Sequence, residues 1–212
     1  MSHFINKLLS VGIFALTTSL AAAPAKSDDK GPAIPPDMNP NELISKELVS
    51  DLGKILRNEI VQLMVTAQNV RHASMSESQI IKLDKLWRAE RKADDKPLIS
   101  ATLSNPLSVY LLRMQARAGG LYSEIFIMDN KGLNVGQSSI TSDYWQGDEA
   151  KYKKTFLVAP DAVFIDDPEW HKGTKTWRAQ VNMTIAGNKD GKSIGAAVFE
   201  VNLTELKRRI SS

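Results

Sequence analysis

The hydrophobic pattern of the chain changes its period at Gly119-Gly120, and this change limits the folds that the chain can adopt. Before the glycine pair, apolar residues recur every three or four positions, which is the spacing of amphipathic helices. After it, short apolar runs with partial alternation are separated by turns rich in Asp, Asn and Gly, which is typical of strands. Helices collected ahead of strands predict an α+β fold rather than alternating βαβ units.

Residues 40–120 are predicted to form a helical N-terminal region. One face of a long helix would carry seven apolar residues at helical spacing, namely Leu48, Leu52, Leu56, Ile60, Leu63, Ala67 and Val70. A capping-box pattern at Ser76 and Gln79 predicts the start of a second helix. A third helix is predicted to begin at Asn105, where proline follows the capping residue.

Residues 121–212 are predicted to form an antiparallel sheet of about five strands. The strands are expected at 121–128, 133–139, 162–165, 176–185 and 193–201. Their connections are mostly too short for parallel crossovers, which favours antiparallel pairing. A helical insert is expected at 142–156, and a closing helix at 203–210. The predicted fold class is therefore α+β, with a long N-terminal helix or helices packed on the antiparallel sheet as one domain.

The N-terminus is typical of an exported protein. Lys7 precedes the apolar run Leu8–Leu20, and Ala23-Pro24-Ala25 follows it as a cleavage pattern. The run is shorter than the roughly 20 apolar residues of a membrane span. Residues 1–25 are therefore expected to be a signal peptide and residues 26–39 a flexible linker. The mature protein is expected in the periplasm, with no membrane span after cleavage.

The composition excludes several kinds of chemistry. The chain has no cysteine, so disulfides, thiol catalysis and thiolate metal sites are ruled out. The formal net charge of +3 favours neither nucleic acid nor anionic lipid, and export argues against a nucleic-acid partner. The sequence shows no nucleophile elbow and no glycine-rich phosphate loop. We therefore expect neither an enzyme nor a bound cofactor.

The segment from Leu43 to Leu206 resembles the Cache family, the PAS-like sensor domains found outside bacterial cytoplasmic membranes. The resemblance rests on a strand that ends in the turn 129–132, on the insert 142–149, and on the segment 174–206 with its Asp190-Gly191-Lys192 turn. It implies a PAS-like sheet with a small ligand held against it, under the insert helix and the loop that follows. Ligands of the family are small carboxylates, amino acids or similar metabolites.

The insert supplies two candidate ligand contacts, Tyr144 and Trp145. Adjacent aromatic residues can close over a pocket with a ring face and a phenol donor. The alternative is that both side chains only pack the insert onto the sheet, as aromatic residues commonly do.

The strand from Thr176 supplies three more candidates, Arg178, Gln180 and Asn182. Alternation places them on one face, opposite an apolar face that begins at Trp177. Arg178 can hold a ligand carboxylate bidentately. The alternative is an ordinary solvent face, since an antiparallel sheet can have one wet side.

The densest group of metal-ligating residue types is Asp166, Asp167, Glu169 and His171. Carboxylates and one imidazole can hold a divalent ion, but this spacing matches no metal loop, and a solvated acidic loop is the alternative. Asp166 is also a candidate ligand contact, because it can face the pocket and accept a hydrogen bond from an amine.

The sequence therefore predicts a periplasmic sensor module that binds a small carboxylate or an amino-acid-like metabolite. It carries no second membrane helix and no output domain, so we expect signalling through a separate membrane-bound receptor. The alternative is a non-catalytic protein-interaction or structural module with a vestigial pocket. A homodimer through the long helix is also expected from its apolar face.

Overall fold

The computed structural model describes residues 31–212, and the predicted signal peptide lies outside the described residues. Within the described part the helices are α1 Pro40–Leu43, α2 Lys46–Leu56, α3 Glu59–Arg71, α4 Glu77–Glu90, α5 Pro97–Leu103, α6 Pro106–Arg117, α7 Ala150–Lys153 and α8 Leu203–Ile210. The strands are β1 Tyr122–Met128, β2 Asn134–Gln137, β3 Val163–Ile165, β4 Glu169–His171, β5 Thr176–Ala186 and β6 Ser193–Asn202. In this same range no helix is both long enough and apolar enough to cross a membrane.

The strands form one sheet in the order β2-β1-β6-β5-β3, and β4 also pairs with β5. Every pairing is antiparallel, so the predicted α+β class with an antiparallel sheet is confirmed. The sheet has a sixth strand because Glu169–His171, expected as a loop, pairs with the start of β5. Trp170 and Trp177 face each other in that register with ring centroids 5.5 Å apart, which adds a cross-strand aromatic contact.

The main core lies between one face of the sheet and helices α2, α3 and α6. The predicted apolar face of β5 is confirmed, since its residues Trp177, Ala179, Val181, Met183 and Ile185 are all buried in this core. Alternation along the strand sends the polar residues to the opposite face. The helices therefore cover one side of the sheet and leave the second side for the remaining segments of the chain.

The predicted single long helix is wrong, because the chain breaks it between Leu56 and Glu59. Asn58 lies in extended conformation, and its side chain accepts a hydrogen bond from the backbone N–H of Ile60 at 3.0 Å, which starts a new helix. After the break the buried apolar positions of α3 are Val61 and Val65. The expected apolar face therefore turns outward, and Leu63 and Val70 are 65% and 72% exposed.

The predicted helical insert is also largely wrong, since only Ala150–Lys153 of this segment is helical. The preceding residues are held by a partner outside the segment. The Asp84 carboxylate accepts hydrogen bonds from the backbone N–H groups of Tyr144 and Trp145 at 3.0 and 3.1 Å, and Trp145 bridges to Leu133. Backbone donors engaged in this way cannot form helical hydrogen bonds.

Helix α5 is an element that the sequence pattern missed. The Glu90 carboxylate is 3% exposed and accepts from the backbone N–H groups of Leu98 and Ile99 at 3.1 and 2.9 Å. A buried carboxylate thereby satisfies donors that a helix start leaves open. The end of the segment expected as a flexible linker is also structured, because Pro36–Met38 form a short 3₁₀ helix and Met38 is buried in the core.

The break after α2 leads to a prediction on stability. Leu52→Ala should lower the free energy of unfolding by about 2–5 kcal/mol, because it opens a cavity at a fully buried position. Leu63→Ala is the matched control and should change it by no more than about 0.5 kcal/mol, since the side chain is exposed. Urea unfolding followed by circular dichroism measures both, and similar losses in the two variants would contradict the placement of the break.

Candidate functional site

The second face of the sheet is polar at one end and apolar at the other. Its strands align Glu124 with Glu200 and Glu200 with Gln180. The next two rows contain Phe126, Val198 and Asn182, and then Met128, Ala196 and Thr184. Tyr152 of α7 packs on the apolar rows. The polar end is thereby left open beside α7.

A cleft of about 270 Å³ lies at this polar end. Its lining residues are Glu149, Lys151, Asp166, Asp167, Glu169, Arg178, Ala179, Gln180 and Glu200. They come from the start of α7, from β5 and β6, and from the chain between β3 and β4. The volume lies just below the roughly 300–1,000 Å³ of common ligand pockets, so any ligand of this cleft is small.

The cleft exists because the outer edge of β5 is paired in two separate pieces. Strand β3 pairs as far as Ile165 with Val181, and β4 resumes at Glu169 with Arg178. Between them the Asp166 backbone N–H still donates to the Gln180 carbonyl at 2.9 Å. Beyond this bond the chain leaves the sheet edge until Glu169, since Pro168 has no N–H to donate. Residues 166–169 form one wall of the cleft.

Arg178 is already engaged by the protein. Its Nη1 donates to Glu200 Oε2 at 2.8 Å, its Nη2 to Thr174 Oγ1 at 3.0 Å, and its Nε lies 3.4 Å from Thr176 Oγ1. Side chains of this ion pair are 16% and 21% exposed. A ligand carboxylate that took a bidentate grip on Arg178 would therefore have to displace Glu200.

Lys151 fixes the opposite wall. Its Nζ lies 2.9 Å from Glu149 Oε2 and 3.3 Å from Gln146 Oε1, and the side chain is only 14% exposed. The ammonium also lies 5.5 Å from the centroid of the Phe126 ring, which is within cation–π range. These contacts tie the start of α7 to the second face of the sheet.

Glu124 lies next to Glu200 on the neighbouring strand and is half-buried. Burial raises the pKa of its carboxyl, and the charge of Glu200 raises it further, against a lowering by the hydrogen bond from Ser139 and by Lys151 and Arg178. Ser139 Oγ donates to Glu124 Oε1 at 2.7 Å. The floor beside the cleft thus holds a carboxyl group that keeps its proton more readily than usual.

The structure brings three of the candidate residues together in the cleft, namely Asp166, Arg178 and Gln180. Gln180 is half-buried, and no described residue forms a hydrogen bond with its side-chain amide. Asn182 is the next residue on the same face and is fully buried. Its Nδ2 donates to the Phe164 carbonyl at 3.1 Å, while its Oδ1 has no partner among the described residues.

Tyr144 and Trp145 lie outside the cleft lining. Tyr144 is 6% exposed and stacks on Trp87 with centroids 5.3 Å apart, and burial raises the pKa of its phenol to about 12. Trp145 donates from Nε1 to the Lys131 carbonyl at 2.9 Å. Both rings belong to a core cluster with residues of α4 and α5, so their contacts are those of the packing alternative.

Sequence reasoning missed Glu149, Lys151 and Glu200 as cleft residues. The signal for Glu200 was present, because a charged residue stands between Phe199 and Val201, both fully buried. A charge inside such a strand needs a partner, and alternation places Arg178 and Gln180 on the side that can supply one. Glu149 and Lys151 had no such signal, since their positions depend on how the insert folds.

The acidic group expected as a metal candidate does not form a ligand set. Asp166, Asp167 and Glu169 line the cleft, whereas His171 Nδ1 lies 2.8 Å from Thr174 Oγ1. Over residues 31–212 no three histidine or carboxylate side chains are arranged to hold a metal ion.

No protein-family model matches the sequence, and no curated protein matches it significantly. Several solved structures resemble the fold of this chain. The ligand-binding domain of the Campylobacter jejuni chemoreceptor Tlp3 with 4-methylisoleucine is 15% identical, with a TM-score of 0.38 over 77% of this chain and 62% of that one. The ligand-binding domain of the Pseudomonas aeruginosa chemoreceptor PctC with GABA is 13% identical, with a TM-score of 0.34 over 77% and 64%.

A third overlapping structure is the extracellular domain of rpHK1S-Z16, named as a histidine kinase. It is 13% identical, with a TM-score of 0.40 over 81% of this chain and 61% of that one. This chain therefore spans less than two thirds of the length of each of these three domains. Because the identities and TM-scores are low, the function is inferred from the cleft rather than from these structures.

The raised pKa of Glu124 leads to a prediction on pH-dependent stability. In the folded state the pKa of the Glu124 carboxyl lies above its ordinary value of 4.5. The contribution of Glu124 to stability therefore falls as pH rises through the raised pKa. Glu124→Gln keeps an acceptor for Ser139 and removes the charge. The variant should therefore gain thermal stability over the wild type at pH 7 and lose that gain at pH 4.

Thermal unfolding at a series of pH values measures the difference. Glu77→Gln is a control at an exposed carboxylate on α4, where no pH-dependent gain is expected. A variant that is less stable than the wild type at pH 7, with the deficit closing toward pH 4, would show that Glu124 is stabilised as the anion.

Proposed function

We propose that this protein is a ligand-binding sensor module that holds a small polar metabolite in the cleft beside β5. The observation that carries the proposal is the cleft itself, a small charged concavity on the side of the sheet opposite helices α2, α3 and α6. The resemblance of the sequence to Cache sensor domains favours the same function. Its location would be the periplasm, if the predicted signal peptide acts as such.

The free amide of Gln180 is the central ligand contact in this proposal. It lines the cleft together with two ion pairs, Arg178 with Glu200 and Lys151 with Glu149. A half-buried amide without a protein partner can donate to and accept from a bound molecule. Asp166 would accept a hydrogen bond from a ligand amine.

Binding in this cleft would connect parts of the chain that are far apart in sequence. The start of α7, the wall 166–169 and strands β5 and β6 all contribute to the lining. A ligand that touches all of them would favour one arrangement of these walls. We propose that a separate membrane-bound receptor reads this arrangement on the surface around the cleft.

A second candidate function is that of a protein-interaction module, and the outer face of α3 favours it. Leu63 and Val70 are exposed there, and Leu63 lines a hollow of about 900 Å³ between α3 and the β5–β6 turn. Exposed apolar residues next to a groove are typical of interaction surfaces. We propose a homodimer through this helix as the form such a module would take.

Ligand binding can be tested on the exported mature protein. Mass spectrometry of small molecules released from the native protein identifies candidates, and a thermal-shift screen of metabolites confirms them. Gln180→Ala should weaken binding at least about tenfold, because loss of a hydrogen bond to a charged group costs about 1.5–3 kcal/mol.

Asn41→Ala is the control, since Asn41 is an exposed residue of α1 outside the cleft lining. Its affinity should equal that of the wild type. A ligand bound equally well by the Gln180→Ala variant would place the site elsewhere. A protein that releases no small molecule and responds to none, but elutes as a dimer that Leu63→Asp dissociates, would favour the interaction module.

A further inference from the structure

We propose that the ligand of the cleft is an organic cation, a small amine or diamine rather than a carboxylate. This inference rests on the proposed function, and it names the chemical class that the cleft takes. It follows from the charges of the lining and from the hydrogen bonds that those charges already make.

The lining holds an excess of carboxylates. Five of its side chains are acidic and two are basic. Both basic side chains are paired inside the protein, Lys151 with Glu149 and Arg178 with Glu200. The acidic residues of the wall 166–169, namely Asp166, Asp167 and Glu169, form no ion pair with any described residue.

The charged donors of the cleft are engaged, whereas its acceptors are open. All three guanidinium nitrogens of Arg178 have protein oxygens within hydrogen-bond distance, and the ammonium of Lys151 has two. In the wall 166–169, Asp166 Oδ1 accepts from the backbone N–H of Asp167 at 3.2 Å. The remaining carboxylate oxygens of the wall and the side-chain amide of Gln180 have no hydrogen-bond partner among the described residues. A ligand that complements this lining has to bring hydrogen-bond donors, and the unpaired carboxylates favour donors that carry positive charge.

The polar row of β5 continues beyond the cleft to a buried acceptor. Asn182 follows Gln180 on the same face of β5, is fully buried, and has no partner for its Oδ1 among the described residues. Buried polar atoms are nearly always satisfied in folded proteins. Asn182 is not part of the cleft lining, so the charge class of the ligand rests on the lining residues themselves.

An anionic ligand meets two obstacles in this cleft. It would have to displace Glu200 from Arg178, which leaves that carboxylate partly buried without its partner. It would also add negative charge beside Glu124, whose pKa burial already raises. A bare metal ion is no better, since no three carboxylate or histidine side chains of the described chain converge on one point.

Three probes of one carbon-chain length test the charge class on the mature protein. They are 1,4-diaminobutane, 1,4-butanediol and succinate, which carry positive, no and negative charge. Isothermal titration should show binding of the diamine only. Its affinity should fall at least about threefold between 0.05 and 0.5 M salt, because salt screens partly exposed charges.

The double variant Asp166→Asn with Glu169→Gln removes two open carboxylates and keeps their shapes. It should bind the diamine at least about tenfold more weakly than the wild type, with an unchanged circular dichroism spectrum. Asp95→Asn removes one exposed carboxylate outside the cleft and should leave the affinity within about twofold.

Each result decides between the inference and the proposed function. Diamine binding that is insensitive to the double variant would show adhesion to the surface and overturn the inference. Binding of succinate or of a neutral amino acid in its place, weakened by Gln180→Ala, would overturn the cationic class and keep the sensor function. If no probe and no metabolite binds, both the inference and the proposed function fall.

Discussion

The two-sided role of β5 is the constraint on which the rest of the structure depends. Its apolar residues close the main core against the helices, and its polar residues form the floor of the cleft. Its outer edge is paired by β3 and β4, but not opposite Pro168, where the neighbouring chain cannot donate a hydrogen bond. The same strand thus stabilises the fold on one face and leaves an opening on the other, so the position of the cleft follows from strand pairing.

Much of this fold could be predicted from the sequence because the deciding contacts are local. Alternation fixed which face of β5 is buried, and the capping box at Ser76 and the closing helix Leu203–Ile210 form as predicted. The failures share one cause. Helix α5 starts on the distant carboxylate of Glu90, and the insert is held by Asp84, so neither pattern is visible in neighbouring residues.

The candidate site divides in the same way. Alternation on β5 brought Arg178 and Gln180 to one face, and the wall with Asp166 follows because β3 is the neighbouring strand. Tyr144 and Trp145 are held with α4 and α5, which no local pattern predicts. The sequence also could not show that Glu200 engages Arg178. That one ion pair changes the chemistry of the cleft from a carboxylate grip to an acceptor-rich lining.

Glu124 connects the charge of the cleft to the stability of the fold. Burial and the neighbouring Glu200 raise the pKa of its carboxyl more than the contacts with Ser139, Lys151 and Arg178 lower it. Ionisation of Glu124 therefore lowers the stability of the fold. A cation bound nearby would favour the ionised form and lower this pKa. By linkage, the loss of the Glu124 proton would strengthen cation binding by the same free energy. Ionisation of Glu124 lowers the stability of the ligand-free fold as pH rises, and a bound cation would reduce this loss. Binding of a cation would therefore stabilise the module most at a pH where Glu124 is ionised.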